Sequence, residues 1–164
     1  MPAGIFNGAG IDRLLRRLFS TGGRTNDFRQ LEHRLFIVAT DLDTGESVAF
    51  GSEGHDEVPI SVAVQASAAL PGLFPPVRIG DRYFVDGALI KTLHASVALQ
   101  EGAELLICIN PLVPFDSRLA AQRPPHATPA PSHLVEGGLP VVLSQTFRAI
   151  IHSRMRTGMD RYRH

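Results

Sequence analysis

One cysteine stands among the 164 residues, so no disulfide can form within the chain. Cys108 lies inside the apolar run Leu105-Leu106-Ile107-Cys108-Ile109, where it reads as a small core residue rather than a ligand or nucleophile. Net charge is also lacking. Lys plus Arg and Asp plus Glu both number 16, which removes the electrostatic pull that nucleic acid or acidic substrates would require. No apolar run reaches the roughly 18 residues of a spanning helix, and the Met-Pro-Ala-Gly start lacks the basic and apolar regions of a signal peptide. A soluble, reducing, cytoplasmic setting is the expectation. What remains, 44% hydrophobic and 20% charged residues, is the composition of a globular domain with one sizeable core.

Ile11, Leu14, Leu15, Leu18 and Phe19 share one helical face, opposite Arg13, Arg16 and Arg17, and predict an amphipathic helix. After Gly22-Gly23, the run from Leu35 to Ala39 predicts a buried strand. It turns at Gly45 into a second strand, Ser47 to Phe50. Pro59 suits the first position of a helix through about Leu70, which Pro71-Gly72 stops. Short strands follow at Pro76 to Ile79 and Arg82 to Val85, joined at Gly80-Asp81. A helix near Leu93 to Gly102 leads to a predicted buried strand, Glu104 to Asn110, completing a strand–helix–strand crossover. Six of the 12 prolines fall between Pro111 and Pro131, marking an irregular segment. From Leu139 a basic helix begins, with Leu143, Phe147, Ile150, Ile151 and Met155 on one side. Such a stripe more commonly packs on a sheet; its other use is to lie on anionic lipid.

The segment Arg82-Tyr83-Phe84-Val85-Asp86-Gly87-Ala88 carries the clearest chemical signal. An apolar strand ends in an acid, then in two small residues that leave room for another group to approach the carboxylate. An Asp-Gly pair alone is commonly just a turn. Here it follows Gln65-Ala66-Ser67-Ala68-Ala69-Leu70-Pro71-Gly72-Leu73-Phe74-Pro75-Pro76, which follows Val38-Ala39-Thr40-Asp41-Leu42-Asp43-Thr44-Gly45-Glu46. These motifs in this order resemble the patatin-like phospholipase family, best over Leu35 to Asn110.

The resemblance implies an α/β fold with a mixed, largely parallel sheet flanked by helices. Residues 1–110 would be the C-terminal part of a patatin-like domain shortened at its N-terminal side, followed by the Pro-rich segment 111–138 and the basic helix 139–164. It also implies lipid acyl-ester hydrolysis by a serine–aspartate dyad. In the family the serine sits in a Gly-x-Ser-x-Gly elbow and the aspartate of an Asp-Gly-Ala/Gly motif is its base, a role that falls to Asp86, with Gly87 and Ala88 completing the motif. An upstream glycine-rich loop would supply the oxyanion hole. The sequence departs from this pattern at one decisive point. Among the 15 glycines only Gly4 and Gly8 are four apart, and Phe6 lies between them. The expectation is therefore a chain holding the base without the nucleophile, inactive alone. Its partner would be a lipid or acyl-ester substrate, with peripheral membrane contact through 139–164. The competing reading is a noncatalytic remnant or a lipid- or protein-binding module.

Other patterns count for less. Asp41-x-Asp43 evokes a phosphatase nucleophile pair, but Gly45 stands where the accompanying threonine belongs, and a hairpin turn is the better account. Asp43-Thr44-Gly45 has no second copy to make an aspartic-protease pair. The seven histidines include no i, i+4 pair, so neither a metal nor a cofactor is implied. Ser67 falls on a predicted helix rather than on an elbow, which favours a packing role.

Overall fold

The structure is a computed structural model that describes residues 7–91, 93–109 and 138–160, with side chains of the last helix described as far as 155. It divides into two units, 1–106 and 107–164.

In the first unit, α1 spans Ala9–Phe19, and Asn7 Oδ1 accepts the Ala9 N–H at its start. Only part of its apolar stripe is covered, since Leu14 and Leu18 are exposed. Strands β1 (Ile37–Asp41) and β2 (Ser47–Phe50) form the expected hairpin, in register from Ile37 opposite Phe50 to Thr40 opposite Ser47. Gly45 takes φ +72° in its turn, a conformation that glycine enters without steric cost. Helix α2 covers Ile60–Ser67, and a hairpin of β3 (Val77–Ile79) and β4 (Arg82–Asp86) follows, turning at Gly80 with φ +61°. Helix α3 (Ala95–Gln100) completes the regular elements of this unit.

The end of α2 that carries Pro59 differs from expectation. Pro59 lies just outside the helix with extended ψ (139°), and the first helix N–H groups, which have no partner within the helix, are satisfied from far away. Asn26 C=O accepts the Ile60 N–H at 3.0 Å. Asn26 Oδ1 accepts the Ser61 N–H at 2.8 Å while its Nδ2 donates to Ser61 Oγ at 3.1 Å. A side chain 35 positions upstream thus does the work of a local N-cap. The helix also stops three residues short of Leu70, at Ser67.

The sheet order is β2-β1-β4-β3, and every pairing in it is antiparallel. This corrects the expectation of a largely parallel sheet. The turns inside each hairpin are too short for anything but antiparallel neighbours, and β1 then meets β4 antiparallel, with Ala39 opposite Asp86 and Asp41 opposite Phe84. Among the described residues, the crossover that would have added a parallel strand is not formed. Residues 104–109 are not in a strand, and Leu105, Ile107 and Ile109 are each more than 80% exposed (81%, 83% and 81%). An all-apolar run is buried only when neighbours cover both its faces, and no strand among the described residues pairs with this one. Cys108 is exposed as well, rather than in the core.

The core lies between the sheet and α2. Ala63, Ala66 and Ala69 have almost no exposed surface and pack with Ala39, Phe50, Ile60, Val77 and Phe84. Directly opposed residues of an antiparallel pair point to the same face, so Ala39, Phe84 and Asp86 share the face that α2 covers. Phe50 meets Phe84 edge to face, with ring centroids 5.3 Å apart.

In the second unit, α4 runs Gly138–Asp160. Ile151 is buried, whereas Leu139 and Ile150 are exposed, so Ile150 does not share the cover given to Ile151. The Pro-rich run from Pro111 to Pro131 lies outside the described residues.

Candidate functional site

Asp86 is the last residue of β4, and its backbone is held on both sides. Its N–H donates to Ala69 C=O at 3.1 Å, which ties the strand end to the segment after α2. Its own C=O accepts from Thr40 Oγ1 at 3.2 Å, which ties it to β1. The side chain then folds over the 3-10 turn Gly87–Leu89, where Oδ1 accepts the Ala88 N–H at 2.8 Å. Among the described residues nothing donates to Oδ2. The carboxyl is largely buried, and burial pushes its pKa above the ordinary aspartate value, against the opposing pull of the Ala88 N–H and of the nearby His94.

Gly87 is buried, and here the requirement is space rather than an unusual backbone angle. A Cβ at this position would lie 2.6 Å from the Val38 carbonyl oxygen and 3.3 Å from His94 Nε2. The absence of a side chain lets the turn after Asp86 press against β1, a use different from the approach of another group to the carboxylate that the sequence suggested.

His94 is the neighbour that sequence reasoning missed. It immediately precedes α3, half-buried, with Nε2 3.1 Å from the Gly87 carbonyl oxygen. Burial lowers its pKa, opposed by the Gly87 hydrogen bond; the Lys91 charge lowers it further and Asp86 raises it. No motif marks this histidine, because the contact depends on how the chain turns back between Gly87 and α3. Lys91 Nζ reaches Ser96 Oγ at 3.4 Å on the exposed side of the same turn.

Ser67 is the last residue of α2, on a helix as expected. Asp41 and Asp43 belong to the β1–β2 turn: the wholly buried Asp41 accepts the Asp43 N–H on Oδ1 at 2.9 Å and Arg82 Nη1 on Oδ2 at 3.1 Å. That carboxyl holds structure together at the opposite end of the β1–β4 pairing from Asp86. Among the described residues, no three His, Cys, Asp or Glu side chains are grouped to share a metal ion, and no helix is long and apolar enough to cross a membrane.

A family model described as patatin-like phospholipase matches residues 1–99. The chain belongs to that family. Asp86, Gly87, Ala88 and His94 of this patatin-like chain all fall inside the matched stretch. Its curated relatives include an uncharacterized NTE family protein of Mycobacterium tuberculosis strain H37Rv, 34% identical over 103 residues, which is 63% of this chain and 16% of the relative. A protein of the same description from Mycobacterium bovis aligns to the same extent. A second uncharacterized NTE family protein of Mycobacterium tuberculosis is 33% identical over 73 residues, 44% of this chain and 19% of the relative. The alignment thus spans less than a fifth of the length of each relative.

Proposed function

We propose that these residues supply the general base of a lipid acyl hydrolase: Asp86 takes the proton of a serine that is not among them. Membership of a phospholipase family supports the reaction class. The carrying observation is the Asp86 carboxyl, fixed through Oδ1 by the Ala88 N–H, with Oδ2 bonded to nothing among the described residues. Such a group is oriented by one oxygen and available through the other. Burial that raises its pKa also makes the ionised form a better proton acceptor, moving it toward the range where a base works at neutral pH.

The chemistry follows in two halves. As the hydroxyl oxygen attacks the ester carbonyl, its proton passes to Asp86, and the tetrahedral oxyanion collapses to expel the alcohol, which recovers that proton. Water then attacks the acyl-serine while Asp86 again accepts a proton, releasing the fatty acid and the free serine. Donors for the oxyanion belong, on this reading, with the serine. The substrate is a lipid or other acyl ester, with phospholipid the family-level choice. The setting is cytoplasmic, with peripheral contact to a membrane through residues 139–164.

The test begins with the DNA ahead of Met1. An in-frame Gly-x-Ser-x-Gly segment defines an extended chain, which should hydrolyse p-nitrophenyl butyrate and lose at least about a thousandfold in kcat on Asp86→Asn. The 164-residue chain should show no turnover. Extended-chain activity that survives Asp86→Asn would overturn the assignment, as would turnover by the short chain that disappears in the same variant. Absence of such a segment would favour a noncatalytic binding module.

A further inference from the structure

The peptide group joining Gly87 to Ala88 is bonded at both ends. Its N–H donates to Asp86 Oδ1 at 2.8 Å. Its carbonyl oxygen accepts from the N–H groups of Ile90 at 3.2 Å and Lys91 at 3.4 Å, and lies 3.1 Å from His94 Nε2. The two backbone bonds are those any tight helical turn makes. The third is different, because it brings a side chain from the start of α3 onto the turn that carries the acid. A carbonyl can only accept, so Nε2 bears the hydrogen and the neutral ring keeps Nδ1 as an acceptor. An amide bonded at its oxygen is a stronger donor at its nitrogen, because successive hydrogen bonds polarise one another.

We infer that His94 is a positioning residue for Asp86, acting through the Gly87–Ala88 peptide to hold the Ala88 N–H on Oδ1 and so keep Oδ2 as the oxygen that faces a reacting hydroxyl. The functional part of this statement rests on Asp86 being the base; the mechanical part rests on the geometry alone. Two features support an arrangement built for contact. A Cβ at Gly87 would meet the Val38 carbonyl oxygen at 2.6 Å and crowd the imidazole at 3.3 Å, so the bare glycine keeps the turn seated on β1 with the ring at hydrogen-bonding distance. The Asp86 backbone is also fixed independently by Ala69 and Thr40, so a pull on the following peptide acts on side-chain orientation rather than dragging the strand. The charged groups acting on His94 are Lys91, which disfavours its protonation, and Asp86, which favours it. The neutral donor is therefore the working form near neutral pH.

The full 164-residue chain, labelled with 15N and 13C, tests this without a nucleophile. The ring nitrogen shifts of wild type should report the Nε2–H tautomer. His94→Leu should move the Ala88 amide proton upfield and raise the titration midpoint of the Asp86 carboxyl carbon, because a bond that favours the carboxylate is weakened. His94→Gln, which keeps a donor of similar reach, should restore most of both. An Nδ1–H tautomer, or a leucine variant in which both signals stay at their wild-type values, overturns the inference. Should the leucine variant fail to melt cooperatively, His94→Asn, whose amide is too short to reach Gly87, provides the same comparison. These signals are independent of ester turnover. Persistence of extended-chain activity in Asp86→Asn would remove the base assignment and leave the positioning intact, whereas unchanged shifts in the histidine variants would do the reverse.

Discussion

Replacing Arg82 by alanine isolates the bond that locks the two hairpins at the end of the β1–β4 seam remote from Asp86. Asp41 is wholly buried, and its Oδ2 depends on Arg82 Nη1 at 3.1 Å, the arginine side chain being 57% exposed. Losing a charge-assisted hydrogen bond costs about 1.5–3 kcal/mol, and stranding a buried carboxylate carries the cost toward about 3–5 kcal/mol. Because Arg82 is more than half exposed, water enters where it stood and hydrates the abandoned oxygen. The expected loss is therefore near the lower bound, about 2 kcal/mol. At a slope of about 1.5 kcal/mol per M, that moves the urea midpoint down by about 1.3 M with the slope unchanged. Circular dichroism at 222 nm follows the transition. Arg78→Ala is the control, since Arg78 pairs only loosely with the fully exposed Asp81 and should change stability by less than about 0.5 kcal/mol. A midpoint for Arg82→Ala indistinguishable from that of Arg78→Ala would refute the reasoning, because the seam would then gain nothing from its buried ion pair.

Gly87→Ala should destabilise by about 1–3 kcal/mol, the usual range for an overpacked site, because the new methyl meets the Val38 carbonyl at 2.6 Å. Gly22→Ala, with open space around it, should not, and paired urea melts decide. Asn26→Ala removes the remote cap of α2 and should cost about 1–2 kcal/mol by the same measurement. For pH dependence the signs differ at the two titrating groups. The folded pKa of Asp86 is raised, so its stabilising contribution is complete below the unfolded value of about 3.8 and is lost as pH rises through the folded one. Asp86→Asn should consequently raise Tm at pH 7. The folded pKa of His94 is lowered from 6.5, so its contribution is complete above that value and is lost as pH falls through the folded one. His94→Gln should flatten the acid limb of a Tm series taken from pH 7.5 to 5, and an unchanged limb would contradict the burial of the ring.

What could be read from the sequence was local. Gly45 and Gly80 mark turns that only a positive φ completes, and both hairpins stand where those glycines put them. The apolar spacing of α1 and the strand ending in Asp86 are legible for the same reason: each is a pattern within a dozen residues. Asn26 capping α2 and His94 reaching Gly87 are tertiary facts with no periodic signature. The run from Leu105 to Ile109 shows the opposite failure. Its composition states a preference for burial between neighbours, but a preference supplies no neighbour, and the segment is exposed. The crossover expected to end in this strand went with it, and the pairings among the described residues are those of the two hairpins and of β1 on β4, all antiparallel.

Three strand pairings make the sheet, and two of them are closed by turns a few residues long. The third, β1 on β4, joins positions more than forty apart in the chain, and it is the one that brings Thr40 to the Asp86 carbonyl and Val38 against Gly87. Closing so long a loop costs more conformational entropy than folding either hairpin. The carboxylate's surroundings therefore exist only to the extent that this junction is closed. Substitutions anywhere along it, including conservative ones far from the acid, should be felt first as a loosening around position 86, before either hairpin gives way.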